Sequence, residues 1–211
     1  MRAALALLAL AWAVGIAHAQ GVRARQNIEY LLIAPQPVAT GDRIEVIDFF
    51  WYGCPACDAF QPELEAWIRR KPPDVVLRRI PAIFWDSWAP HVRIFYTLER
   101  LGEVGRLHLK VYDSYHVDAL NMSRPEVMVE WAVRNGIDRK HWLDAYNSSD
   151  VDAQIERAKA LTAAYAIRGT PSLVVDGRYL ATWELAHGDP RRMVAVLEDL
   201  VRLARRDRVG R

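Results

Sequence analysis

Two spacings of apolar residues alternate along the chain. In "RIEVIDFFWY" (43–52) β-branched and aromatic residues dominate, and both alternating faces turn apolar toward the end, the pattern of a buried strand. The run passes through Gly53 into "CPAC" and then "DAFQPELEAWIRR", where Phe60, Leu64, Trp67 and Ile68 recur at helical spacing. Pro55 suits the first helical position, where its missing N–H costs nothing. Pro62 is expected to kink this helix, because it cannot donate back to the Asp58 carbonyl. "VVLRRIPAIF" is a second strand, so this part of the chain reads β-α-β.

From Ser87 to Asn147 the spacing is helical throughout. "HVRIFYTLERLG" and "RPEVMVEWAVRNG" each end at a glycine, "VGRLHLKVYDSYH" lies between them, and "DRKHWLDAYNS" starts with an aspartate in a capping position. A further amphipathic helix, "SDVDAQIERAKALTAAYAI", leads to Gly169-Thr170-Pro171, the strand "SLVVDG" with its Asp-Gly turn, the short strand "RYLATW" and a last helix from about Pro190. The basic tail "RLARRDRVGR" reads as a frayed helix end. The two αβ parts can share one sheet only if the helical block is an insertion between them. The expected division is 20–86 and 148–211 for the two parts of an α/β domain, with 87–147 as an all-helical insertion domain.

The first nineteen residues, "MRAALALLALAWAVGIAHA", carry Arg2, an apolar stretch from Ala3 to Ile16, and Ala17-His18-Ala19. This is the form of a cleaved signal peptide (1–19), too short in its apolar part for the ~18 to 20 residues of a membrane span. No later segment is apolar for long enough to cross a membrane. The mature chain would start at Gln20 in an oxidising compartment, where disulfides persist. The 192 residues left of 211 suffice for one compact domain or two small ones. Without Arg2, 27 basic residues face 26 acids. That balance argues against strong attraction to nucleic acid or membrane.

Both cysteines of the chain stand two residues apart, Cys54 and Cys57, where the first strand meets its helix. A structural zinc site needs four ligands, usually two close pairs, and the mature histidines show no such pair. Haem attachment needs a histidine after the second cysteine, where Asp58 stands. A structural bridge remains the competing reading, although closing a four-residue ring gives only ~1.9 kcal/mol. A redox centre explains the position better. Near a helix N-terminus, free N–H groups and the positive dipole end favour the Cys54 thiolate. A fall in its pKa from ~8.5 to an illustrative ~5 would stabilise the reduced state by about 2.7 kcal/mol at pH 7. Such a disulfide would be an oxidant. Cys57 lies one turn on, close enough to close the ring.

Asp48 is the odd residue of the strand, an acid between "EVI" and "FFWY". It reads either as a strand-edge acid facing water or as a buried carboxylate that moves protons for the thiols, its pKa raised by burial. Pro171 stands at the start of a strand, a position that proline tolerates; the sequence alone allows a trans bond there.

"VIDFFWYGCPAC", the helical insert and "RGTPSLVVDGRY", in this order, resemble the DsbA family of bacterial periplasmic thiol:disulfide oxidoreductases over essentially the whole mature chain. The resemblance implies a thioredoxin-like fold with an inserted all-helical domain, a periplasmic location and a Cys54–Cys57 disulfide given to exported proteins. The low thiolate pKa and strong oxidising power are expectations inherited from that family. Cys54 matches its nucleophile, Cys57 its resolving cysteine, Pro171 its cis-proline, Thr170 the residue contacting substrate and thiolate, and Asp48 its acidic position. Pro55 and Ala56 complete the motif, Ala56 standing where the best-known members have histidine and Thr170 where they commonly have valine. Implied partners are unfolded or newly exported proteins with free thiols and a DsbB-type, quinone-linked membrane reoxidant. No metal or organic cofactor is implied, and a monomer is expected for want of a separate dimerisation segment. A reductase or isomerase on the same scaffold and a non-catalytic peptide-binding chaperone are the alternatives.

Overall fold

The computed structural model describes residues 24–210, so the expected signal peptide (1–19) lies outside the described residues. Five strands form one sheet in the order β1-β5-β4-β2-β3, with β1 Leu31–Leu32, β2 Ile44–Phe50, β3 Val75–Pro81, β4 Ser172–Val175 and β5 Tyr179–Thr182. β2 and β3 run parallel around the helix α1 (Pro55–Arg70), Asp48 opposite Arg79. β4 returns antiparallel on the other side of β2, with Asp48 opposite Leu173 and Phe49 opposite Ser172. The two halves of the α/β domain are therefore joined strand to strand at the middle of one sheet. All seven residues of β2 are buried, Glu45 and Asp48 among them, so neither face of the strand is left to solvent.

Between β3 and β4 come a 3₁₀ turn (Asp86–Trp88) and five helices: α2 Ala89–Arg100, α3 Val104–His116, α4 Pro125–Arg134, α5 Arg139–Tyr146 and α6 Ser149–Ala164. Asp138 caps α5 by accepting the His141 N–H at 3.0 Å. α7 (Pro190–Val209) closes the chain. Two cores result. One sheet face holds Ile44, Val46, Leu173 and Val175 against Phe60, Leu64 and Trp67 of α1 and Leu197 and Leu200 of α7. The other holds Ile47, Phe49 and Val174 against the inserted helices and α6. Among the described residues no helix is long and apolar enough to cross a membrane.

α1 runs as one helix from Pro55 to Arg70 with Pro62 inside it. Two local expectations need correction. β2 ends at Phe50, because Trp51–Gly53 form a turn in which the Cys54 N–H donates to the Trp51 carbonyl at 3.0 Å. The basic tail is no frayed end: α7 runs to Val209, tied by Arg205 to Asp74 at 3.0 Å and by Arg208 to Asp176 of the β4–β5 turn. In that turn Asp176 and Gly177 take φ of 52° and 70°, as a tight hairpin requires.

Candidate active site

The chain leaves the buried end of β2, turns over three residues and enters α1 at its capping residue, Cys54. Capping normally falls to an oxygen that accepts an N–H of the first turn. Here a sulfur does it: Cys54 Sγ accepts the Cys57 N–H at 3.2 Å. Pro55 takes the first helical position and is exposed, and Ala56 is half-buried. Both cysteines are free thiols. Cys54 is buried but keeps 8% of its surface exposed, whereas Cys57 is 0% exposed beneath the helix start.

The far half of the sequence supplies the opposite wall. The Thr170–Pro171 bond is cis and precedes β4. It brings Thr170 to Cys54 across 116 residues of sequence, where the Cys54 thiol donates to the Thr170 carbonyl at 3.3 Å. Thr170 meets the sulfur with two groups of opposite effect. Its carbonyl can only accept and favours the thiol; its hydroxyl can donate and favours the thiolate.

These contacts divide the two sulfurs. The Cys54 pKa is lowered to about 6, chiefly by hydrogen bonding from the Cys57 thiol, against the opposing effect of burial, with further help from the Thr170 hydroxyl and the Cys57 and Ala56 N–H groups. Cys57 is pushed well up by burial and by the neighbouring Cys54. A pKa of about 6 is higher than the illustrative value, and it changes the balance. The reduced state gains about 1.4 kcal/mol at pH 7, slightly less than the ~1.9 kcal/mol of ring closure. That gain is complete above ~8.5 and lost as pH falls through about 6.

Asp48 lies on β2, an interior strand flanked by β3 and β4, not on an edge facing water. It is 0% exposed on the sheet face covered by α1, and neither carboxylate oxygen has a hydrogen-bond partner among the described residues. Burial raises its pKa to about 7, opposed by Arg79 and aided by Glu65 and Cys54. A group poised there is half-protonated near neutrality.

The structure thus brings Cys54, Cys57 and Thr170 into contact and sets Asp48 beneath them on the strand that delivers the turn. Sequence reasoning missed the ring of groups from the inserted helices. Tyr52 meets His108 Nδ1 through its hydroxyl at 2.9 Å and accepts from His116 Nε2 through its carbonyl at 2.8 Å. The Tyr112 hydroxyl is buried without a partner among the described residues, and burial followed by the Cys57 and Asp48 charges pushes its pKa up. Their spacing along the helices marks only an apolar face, so no local signal separates them from core.

Comparison with known proteins agrees with this geometry. A family model described as the DSBA-like thioredoxin domain matches residues 86–196. The chain is 40% identical over 177 residues to the thiol:disulfide interchange protein DsbA of Azotobacter vinelandii, covering 84% of this chain and 81% of that one. It is 38% identical over 175 residues to the protein of the same name from Pseudomonas aeruginosa, covering 82% of each. The crystal structure of Pseudomonas aeruginosa DsbA superposes with a TM-score of 0.80 at 35% identity, covering 85% of this chain and 93% of that one. Likeness of this extent in sequence, over more than four fifths of each chain, and in the shape of a thioredoxin fold carrying an inserted helical domain shows that the chain belongs to the DsbA family of thiol:disulfide interchange proteins.

Proposed function

We propose that the Cys54–Cys57 pair is the redox centre through which this thiol:disulfide oxidoreductase forms disulfides in exported proteins. The asymmetry of the two sulfurs carries the reading: one is accessible with a pKa of about 6, the other enclosed and held protonated. A substrate thiolate attacks Cys54 Sγ of the disulfide. The S–S bond breaks, a mixed disulfide forms, and Cys57 leaves with the electron pair and takes up a proton. Asp48, half-protonated near neutrality, is placed to supply that proton through the buried interior. A second substrate thiolate then attacks the substrate's own sulfur. Cys54 departs as a thiolate, and a low pKa makes it a good leaving group. The substrate loses two electrons and the enzyme gains them.

The same reading puts this chemistry in the periplasm, supported by the signal-peptide pattern of residues 1–19, with a DsbB-type quinone-linked membrane protein returning the pair to its disulfide. The protein acts as a monomer, with 87–147 as its insertion domain. Pro55 opens the helix without a wasted donor, and Thr170 and Pro171 form the wall against which the substrate strand lies. The test is stoichiometric oxidation of a reduced, unfolded protein. Cys54→Ser is expected to abolish it, and Cys57→Ser, offered a substrate that already carries a disulfide, to attack that bond and accumulate mixed disulfides on Cys54, visible on gels run without reductant. Oxidation retained by Cys54→Ser, or alkylation of both cysteines at equal rates between pH 5 and 8, would overturn the assignment.

A further inference from the structure

The turn that delivers Cys54 is held by side chains from the helical insert as well as by its own backbone. The indole of Trp51 lies flat on that of Trp88, with centroids 3.8 Å apart and planes within 3°. His91 of α2 stacks on the same ring at 5.6 Å. Trp51 also folds back over Gly53. A Cβ on Gly53 would come within 2.4 to 2.8 Å of three indole carbons, closer than real Cβ atoms approach anything. Glycine at 53 is therefore what lets the ring lie where it does. The backbone of Trp51 in turn holds the redox pair: its carbonyl accepts the Cys54 N–H at 3.0 Å, and its own amide favours the Cys57 thiolate by hydrogen bonding. Tyr52 is gripped next to it by His108 and His116 of α3.

Thiolate stabilisation at a helix cap depends on alignment. An N–H donor loses its effect steeply as its angle closes toward ~120°. The Cys57 N–H already reaches the Cys54 sulfur across 3.2 Å, so a small rotation of the turn weakens it. A ring wedged between Gly53 and Trp88 removes that freedom. We propose that Trp51 is a positioning residue of the redox centre: its indole, clamped between Gly53 and Trp88, fixes the turn from which Cys54 caps α1, and through it the helical insert sets the stability of the Cys54 thiolate. The inference rests on Cys54 being the attacked sulfur.

The test uses the full protein carrying Trp51→Ala, Trp51→Phe, Gly53→Ala and the double change Trp51→Ala with Gly53→Ala. Two readouts bear on position rather than on folding: a thiolate absorbance titration of Cys54, and the equilibrium with glutathione. Trp51→Ala is expected to raise the Cys54 pKa by about one unit, moving the glutathione equilibrium about fivefold toward the disulfide at pH 7. Trp51→Phe keeps a flat ring over Gly53 and is expected to recover most of the loss. In denaturant unfolding, Gly53→Ala is expected to destabilise the wild type and to be nearly neutral in the Trp51→Ala background, where the clash is gone. Should Trp51→Ala not fold, Trp88→Ala removes the stacking partner alone and is expected to move the equilibrium roughly twofold in the same direction. An unchanged titration and glutathione equilibrium in a folded Trp51 or Trp88 variant would overturn the proposal, as would an equal cost of Gly53→Ala in both backgrounds. Failure of the underlying assignment is distinct: Cys54→Ser would then still oxidise substrate.

Discussion

Glu45 and Asp48 are two fully buried carboxylates three residues apart on β2, and their surroundings could hardly differ more. Glu45 accepts from Arg78 at 2.8 Å and from the Ala39 N–H at 3.3 Å, and its backbone carbonyl accepts the Asp176 N–H at 2.8 Å. It fastens β3, the loop before β2 and the β4–β5 turn to one point. Asp48 has no hydrogen-bond partner among the described residues, and its nearest cation by register, Arg79, is turned to Glu65. Burial without partners is a cost that folding alone would eliminate. A strand that anchors one carboxylate through its Oε1 and leaves both oxygens of the other bare separates an architectural acid from a chemical one.

The largest expected effect breaks the comparison at Asp48. Its folded pKa of about 7 stands above the ordinary aspartate value of 3.8, so between these values the folded state binds more protons than the unfolded state. Stability from this group therefore falls as pH rises from about 4, and the loss is complete above about 7. Asp48→Leu is expected to stabilise the protein by about 4 kcal/mol at pH 8 and by much less at pH 5, while slowing substrate oxidation. Urea unfolding at the two pH values checks the sign. Glu45→Ala is expected to do the opposite, costing about 3 kcal/mol by leaving Arg78 without its partner. Oxidation of substrate by the folded fraction stays intact. Equal signs for the two substitutions would erase the distinction.

A third expectation sharpens it at the thiols. The Cys54 contribution is present at high pH and lost as pH falls through about 6, and it equals the ring-closure term near pH 7.5. The oxidised protein is expected to melt higher at pH 6 and the reduced protein higher at pH 8.5, with a crossover between. A reduced form that melts lower throughout returns the pair to a structural bridge. The smallest effect concerns Ala56. An imidazole there can donate to the Cys54 sulfur, so Ala56→His is expected to lower the thiolate pKa further and raise the reduction potential by tens of millivolts, ~30 mV per pKa unit. A titration alongside a glutathione equilibrium measures both.

What the sequence made legible was local. The apolar run into "GCPAC" marks a strand delivering two thiols to a helix start, and glycines such as Gly102 and Gly136, both at positive φ, mark where inserted helices stop. What it hid was settled by distant partners. The basic end of α7 looks frayed until Asp74 and Asp176 are seen beside Arg205 and Arg208. β1 is two residues long and exists through its pairing with β5. Asp48 allowed two readings because burial depends on which strands flank it, and β4 arrives from the other half of the chain. The Trp51–Trp88 stack joins residues that no periodicity relates.

The pairing of β2 with β4 has a consequence in time. Cys54 leaves the ribosome 116 residues before Thr170. At the ~5 to 20 residues per second of synthesis, the interval is about 6 to 23 s. During it the thiol motif has its own helix start but neither the Thr170 wall nor the strand that seals β2. The cysteine that becomes most reactive in the finished protein spends its first seconds without half of the groups that make it so. A nascent chain halted before residue 170 is a protein with both thiols and little of their chemistry. The order of synthesis thus delays the activity until the fold that controls it is complete.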